Sequence, residues 1–218
     1  MTPIDPDRAF ALEQVSQARR AAIGALWRLD AALGAVIAGG REPLISRIKL
    51  AWWRDSLEAL DGAGPPAEPV LQEVAAALIP AGIAGSELAA MEQGWQVLLS
   101  PEALTSDELD RYAAARGAAL FRFAARLLGG HATPEIERAG EAWALTDLAR
   151  HSNRADAESA LRAASVRSGA TRWPRPLRPL GMLAVLAQRD AARGIDALEP
   201  PGVPPRLARM LRHRLTGR

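Results

Sequence analysis

Proline and glycine divide this chain into segments that each have roughly the length of one helix. An N-cap side chain followed by proline begins two of them, at Asp5-Pro6 and Thr133-Pro134, because the side chain accepts from free backbone N–H groups and proline fits the first turn. Gly39-Gly40 and Gly129-Gly130 follow apolar runs of helical spacing and predict helix ends. No segment alternates polar and apolar residues as a strand does, so we predict an all-α fold of about eight to ten helices.

The composition agrees with an all-α fold. Aromatic residues make up only 5% of the chain, and small and aliphatic residues supply most of its 49% hydrophobic content, which favours helix over sheet. A length of 218 residues suits one substantial core, so we predict a single domain over residues 1–218. The chain has no Cys, which excludes disulfides, thiolate metal sites and a Cys nucleophile. No signal-peptide pattern and no run of ~18 uncharged apolar residues occurs, so we expect a cytoplasmic protein, soluble or peripheral to the inner membrane.

Charge is distributed unevenly along the chain. Residues 1–161 hold 15 Lys and Arg against 22 Asp and Glu, whereas residues 162–218 hold 12 against 3. The basic part is expected to meet either the acidic surface of its own domain or anionic groups of a partner. Arg206, Arg209 and Arg212 form a stripe on the last predicted helix, which we interpret as a solvated face or a peripheral contact with lipid headgroups. We expect no nucleic-acid partner, because the stripe lacks interleaved aromatic residues and no nucleic-acid motif occurs.

Two further predicted helices hold candidate site and core residues. The stretch GEAWALTDLARHSNRA, residues 140–155, predicts a buried helix that ends in a polar cluster. Within it, Asp147, Arg150 and His151 lie within one helical turn, so they line a polar pocket or pair with one another. The segment 44–60 places Ile45, Ile48, Trp52 and Ala59 along one helical face, with Trp53 about a quarter-turn away. We expect the tryptophans to be core residues rather than ligand-stacking ones; they are Trp52, Trp53, Trp95 and Trp143.

Four patterns, taken in order, resemble the squalene/phytoene synthase family. They are Ala25-Leu26-Trp27 in the first core helix, Trp53-Arg54 in the next, Tyr112 followed by Gly117, and the frame of Gly140, Ala142, Leu145, Thr146, Asp147 and Arg150. Enzymes of that family condense two prenyl diphosphates in a helical cavity, so the resemblance implies an isoprenoid synthase-like fold. It also implies a set of cavity-lining candidates, namely Asp30, Trp53, Arg54, Tyr112, Gly117, Asp147, Arg150 and His151.

This chain lacks the paired carboxylates that form the metal-binding motifs of such enzymes. Ionisation of a diphosphate needs Mg²⁺, which takes oxygen ligands, and carboxylates at i and i+4 present such ligands on one helical face. Counted from the matching residues, the first pair falls at Gly34 and Ala38 and the second at His151 and Ala155. Asp30 and Asp147 are the carboxylates that remain nearby. We therefore predict no catalytic residue, no metal site and no cofactor, with Mg²⁺ expected only if the chain is a transferase.

This loss, together with the segment 44–60 and its Trp52-Trp53-Arg54, resembles a non-catalytic branch of the family, the mitochondrial complex I assembly factor, which keeps the fold without the aspartate motifs. Our first hypothesis is a bacterial pseudoenzyme that binds a partner protein or an isoprenoid-like lipid and assists complex I assembly. The alternatives are a prenyl transferase of squalene or phytoene synthesis with an altered metal site, and a soluble lipid carrier. Ligand binding predicts an apolar cavity between segments 17–38 and 140–153 with Arg and His at its mouth, and tryptophans that fill this space would argue against it.

Overall fold

The computed structural model describes residues 4–40, 42–169 and 172–218, and in these ranges it is helical with no strand. Ten helices there have seven or more residues, and two have five. The all-α prediction is confirmed. The helices are α1 (Pro6–Glu13), α2 (Gln17–Ala38), α3 (Pro43–Ala59), α4 (Pro69–Ala77), α5 (Gly85–Ala89), α6 (Glu92–Gln96), α7 (Ser106–Tyr112), α8 (Ala119–Leu127), α9 (Pro134–Ala149), α10 (Arg154–Arg167), α11 (Arg178–Arg193) and α12 (Pro204–Thr216).

Side-chain N-caps begin five of the helices, namely α1, α4, α7, α9 and α10. The Asp5 carboxylate accepts from the backbone N–H groups of Asp7 and Arg8, at 3.0 and 3.1 Å, and so begins α1. The end of α9 differs from the prediction, because the helix stops at Ala149 and Asn153 caps a new helix, α10. The predicted buried helix over 140–155 is therefore two helices, and positions 151 and 155 do not share one helical face.

The central helix of the core is α2. Leu26, Trp27, Leu29 and Leu33 are fully buried in it, and α1, α3, α4, α6 and α8 pack around it. By length and composition alone α2 also passes as a membrane span, with 22 residues and a mean hydropathy of 1.5. Its buried side chains, and a buried carboxylate at Asp30, are those of a helix in the core of a folded domain.

A π-helical segment, Ala113–Ala118, joins α7 to α8. It crosses α9 where Gly117 faces Gly140. A Cβ atom at Gly117 would lie 2.4 Å from the carbonyl oxygen of Gly140, and one at Gly140 would lie 2.3 Å from the carbonyl oxygen of Gly117. The two glycines therefore permit a backbone approach that no other residue pair allows.

The C-terminal helices complete the same core. α11 packs against α9, α10 and α12, and α1 packs against both α11 and α12. Core side chains run from Ala11 to Met210 in one cluster. The domain boundary of 1–218 itself stays a prediction.

The orientation of α3 contradicts the expected core role of Trp52. The buried face of α3 consists of Ser46, Leu50, Trp53 and Leu57, whereas Trp52 is 44% exposed. Both faces of this helix carry large apolar residues, so their spacing alone did not reveal which one packs inward. The other tryptophans named above are buried, as predicted.

The arginine stripe on α12 is also only partly solvated. Arg209 and Arg212 are exposed, but Arg206 is buried. Its guanidinium pairs with Asp7 and Asp190 at 2.8 and 2.7 Å. Arg206 therefore cannot take part in the predicted membrane contact, because its charge is already neutralised inside the fold.

Candidate functional site

A buried ion network joins α2, the π-helical segment and α9. Asp30 is fully buried, and its two carboxylate oxygens accept from Nε and Nη2 of Arg116 at 2.8 and 2.9 Å. Nη1 of Arg8 reaches Oδ2 of Asp30 at 2.8 Å. Nη1 of Arg116 also lies 2.7 Å from Oδ2 of Asp147. One guanidinium therefore bridges the carboxylates of α2 and α9.

Aromatic rings enclose the same guanidinium. The Cζ atom of Arg116 lies 4.3 Å from the ring centroid of Trp95 and 4.9 Å from that of Trp143, within the range of cation–π attraction. Arg116 also donates a hydrogen bond to the hydroxyl of Tyr112, whose ring meets Trp95 edge to face at 5.9 Å. The side chain is thus fixed by ionic, hydrogen-bonding and aromatic contacts at once.

Trp95 also covers the position where the first metal motif would begin. A Cβ atom at Gly34 would lie 2.9 Å from Cη2 of Trp95, so an aspartate at this position requires the indole to move. The space in which we expected an apolar cavity is here occupied by the side chains of Trp95, Trp143, Tyr112 and Arg116. The Arg–aromatic packing takes the volume that a ligand between α2 and α9 would need.

Neighbouring opposite charges favour the charged forms of Asp147 and Arg116. Burial disfavours the charge on Asp147, but the guanidiniums of Arg116 and Arg8 outweigh it and lower the pKa of this carboxyl. Burial likewise opposes the charge on Arg116, yet Asp30 and its neighbours raise the pKa of the guanidinium. Burial raises the pKa of the Tyr112 phenol, which therefore stays neutral. Asp30 and Asp147 face the guanidiniums of Arg116 and Arg8, and Arg8 also pairs with Asp5. An added cation would therefore have to displace cations of the protein itself.

The network does not fit a magnesium site of the kind that the family resemblance implies. Mg²⁺ needs free carboxylate oxygens in near-octahedral geometry, and the oxygens of Asp30 are engaged by Arg8 and Arg116. Within the described ranges, no three His, Asp or Glu side chains are grouped so that they could hold a metal ion. The protein's own cation, the Arg116 guanidinium, lies between the carboxylates instead.

A cavity of about 270 Å³ lies at the C-terminal end of α9, and Asp147, Arg150 and His151 are in its wall. The Asp147 side chain is 23% exposed there. Arg150 pairs with Asp190 and donates to the carbonyl of Glu199, while Nδ1 of His151 lies 2.8 Å from the backbone oxygen of Asp147. The three side chains thus line a polar pocket. Asp147 and Arg150 pair with side chains outside the trio, whereas His151 contacts the backbone of Asp147.

The remaining predicted residues divide into two groups. Asp30 and Tyr112 lie in the buried network, and Gly117 lies beside it at the crossing with α9. Trp53 instead packs edge to face on Trp52, and Arg54 pairs with Asp55 at the surface. The structure does not bring these two α3 residues to the network.

Sequence reasoning missed Arg8, Trp95 and, above all, Arg116. A signal for Arg116 was present, because it is the one charged residue in the segment AAARGAAL between Tyr112 and Phe121. A lone arginine in an apolar helix requires a buried carboxylate as partner. Asp30, the only acid between Arg19 and Gly40, was the natural choice.

A family model described as Squalene/phytoene synthase matches residues 1–162, a span that contains Asp30, Arg116 and Asp147. The comparisons with curated proteins and with solved structures gave no match.

Proposed function

This chain belongs to the squalene/phytoene synthase family, and on that premise we propose that it is a catalytically degenerate member that works by binding a partner protein. The observation that carries the proposal is the position of the Arg116 guanidinium between Asp30 and Asp147. Prenyl-diphosphate condensation relies on Mg²⁺ to neutralise the leaving diphosphate. Here the Arg116 guanidinium is fixed among the rings of Trp95, Tyr112 and Trp143, which we call its aromatic box. It neutralises the protein's own carboxylates and supplies no exchangeable metal.

The packing around Arg116 supports a protein partner more than an isoprenoid-like lipid. A lipid carrier built on this fold requires a long apolar tunnel between α2 and α9. Trp95 and Trp143 both pack on the guanidinium of Arg116, which lies between the carboxylates of α2 and α9. A partner protein would bind at the surface and needs no such tunnel.

The process in which the protein acts is proposed from resemblance. The Trp-Trp-Arg segment of α3 and the lost aspartate motifs resemble the complex I assembly branch. We therefore place the protein in assembly of respiratory complex I in a bacterium, in the cytoplasm and at the inner membrane. Peripheral membrane contact through Arg209 and Arg212 remains part of this proposal, since both are exposed.

The alternative is an active transferase of squalene or phytoene synthesis. It is favoured by one observation, the partly exposed Asp147 carboxylate at the 270 Å³ cavity. Mg²⁺ would then have to compete with Arg116 for that group.

Product formation distinguishes the two proposals. We expect no prenyl product when the purified protein is incubated with farnesyl or geranylgeranyl diphosphate, Mg²⁺ and NADPH. Glu137→Ala, which alters a half-exposed acid on the same helix, serves as the matched control for Asp147→Ala. Turnover that survives Glu137→Ala and disappears in Asp147→Ala would establish the transferase and refute the pseudoenzyme.

Gene deletion and lipid extraction separate assembly from lipid transport. We expect deletion to lower the NADH:quinone activity of the membranes, and organic extraction of the purified protein to yield no isoprenoid lipid. A stoichiometric isoprenoid in the extract, with unchanged complex I activity, would favour the carrier.

A further inference from the structure

An apolar ridge on α3 faces solvent. Leu44, Ile45, Ile48 and Trp52 are 67%, 46%, 62% and 44% exposed, and their spacing places them along one side of the first three turns. We call these four residues the α3 ridge. Four large apolar side chains exposed together on one helix mark an interaction surface, whereas single exposed ones do not.

The fold does not need the ridge for its own packing. The opposite face of α3, which includes Leu50, Trp53 and Leu57, is buried and packs against α2, α5 and α6. Trp52 packs on the buried Trp53, but Ile48 is 62% exposed, so a polar substitution of Ile48 reports on binding rather than folding.

Cations lie on both sides of the ridge. Arg47 and Lys49, the only Lys of the chain, are exposed and flank it on opposite sides. Arg47 also lines an adjoining groove of about 890 Å³ together with Arg111 and Arg122. The acid in that groove, Glu108, accepts from Thr105 and lies 4.0 Å from Arg111. Arg122 pairs with Glu137 at 3.5 Å.

Acidic residues lie at the two ends of the ridge, and the one before it is Glu42 at the N-cap of α3. The first acid after Trp52 is Asp55, which pairs with Arg54 at 2.7 Å. It marks the C-terminal limit of the ridge. Between Glu42 and Asp55, the exposed charged side chains beside the apolar turns are therefore those of Arg47 and Lys49.

We propose that the α3 ridge docks on an anionic lipid bilayer, with its apolar side chains below the headgroups and Arg47 and Lys49 at the level of the phosphates. An amphipathic helix binds a membrane interface through buried apolar area together with attraction between its cations and anionic lipids. Tryptophan at the edge of such a face, as at Trp52, is typical of residues at the headgroup level. The proposal does not depend on whether the family chemistry has been lost.

Charge complementarity argues against a second copy of the chain as the occupant. A two-fold axis through the ridge would bring Arg47 and Lys49 of one copy against the same residues of the other. Like charges at such a contact repel. An anionic surface satisfies the same cations.

Trp52 provides a direct probe. The other five tryptophans are at most 8% exposed, so acrylamide quenching reports mainly on Trp52. We expect vesicles of phosphatidylglycerol to shift the emission to shorter wavelength and to protect Trp52 from acrylamide, and vesicles of phosphatidylcholine to do neither.

Variants locate the contact while they keep Trp52. The charge reversal Arg47→Glu/Lys49→Glu is expected to weaken vesicle binding about tenfold or more, and Ile48→Ser is expected to weaken it as well. The matched control on α10 is Arg162→Glu/Val166→Ser, which alters an exposed cation and an exposed apolar residue and should bind like the wild type.

Three outcomes would overturn the proposal. They are no binding to anionic vesicles, equal binding to both vesicle types, and unchanged binding by the α3 variants. Far-UV circular dichroism of each variant verifies that the fold is intact.

Discussion

Arg116 combines several roles that only arginine can fill together. Its planar guanidinium donates to both oxygens of Asp30, contacts Asp147, reaches the Tyr112 hydroxyl and stacks on Trp95. Lysine has a point charge without the planar fork, so it cannot make the paired contact with Asp30 and the stack together. The residue therefore determines both the packing of this site and its net charge.

Removal of the Arg116 guanidinium should destabilise the protein strongly. Arg116→Met leaves the buried Asp30 with Arg8 as its remaining cation, and loss of one partner from a buried pair costs about 3–5 kcal/mol. Arg126→Met is the control, since Arg126 pairs with Glu87 at the surface, where both side chains are about 40% exposed, and should cost about 1 kcal/mol or less. Urea unfolding measures both, and an Arg116→Met protein as stable as the wild type would contradict the assigned role.

The π-helical segment and α9 form the element on which the network depends. Arg116 and Gly117 are neighbours, so the residue that bridges the carboxylates sits directly beside the close helix crossing. The crossing brings Asp147, on α9, within reach of a guanidinium that already binds Asp30 on α2. The neighbours Arg116 and Gly117 thus link the close crossing with α9 to the ion contacts with Asp30 and Asp147.

Gly117→Ala should separate the two helices. The added methyl would lie 2.4 Å from the Gly140 carbonyl oxygen, so α9 must move, and overpacking of this kind costs about 1–3 kcal/mol or more. Gly62→Ala provides the control, because its Cβ would meet no atom within 4 Å. Thermal unfolding followed by circular dichroism compares them, and equal melting temperatures would show that the crossing is less tight than described.

For single helices, the sequence predicted where a helix begins better than which of its faces is buried. Asp5 and Thr133 cap helices through short-range contacts that the sequence states directly. The exposed face of α3 depends on which neighbours α2, α5 and α6 present, and this is long-range information. The site was predictable only in part, because Asp30 and Asp147 were recognised as remaining carboxylates while their shared partner, Arg116, comes from a third element.

Over the whole molecule, arginines of the C-terminal helices neutralise acidic side chains of the N-terminal part. Arg206 on α12 bridges Asp7 on α1 and Asp190 on α11, and Arg167 on α10 pairs with Glu141 on α9. Part of the basic excess in residues 162–218 therefore serves the fold itself, as one of the sequence-based alternatives had it. α11 and α12 lie beyond the matched span of 1–162, yet they close the same core.

The packing of α12 on α11 predicts a pH dependence of global stability. Burial, with a smaller effect from Arg178, lowers the pKa of His213 to about 4, so the folded protein holds this imidazole neutral. The unfolded chain takes up the proton near pH 6.5, and the free energy of unfolding should therefore fall as the pH drops from about 6.5 to 4, by about 2–3 kcal/mol. His213→Leu should flatten this slope and His131→Leu, at an exposed loop residue, should retain it; a wild-type stability that is constant between pH 4.5 and 7 would contradict the assignment.

The most direct test of the central claim is a crystal structure of the protein grown with Mg²⁺ and a non-hydrolysable prenyl diphosphate analogue. We predict that the Arg116 guanidinium stays within hydrogen-bonding distance of both Asp30 and Asp147, with no cation density between α2 and α9. Electron density for Mg²⁺ bound to Asp30 or Asp147, with Arg116 displaced from its aromatic box, would contradict the claim.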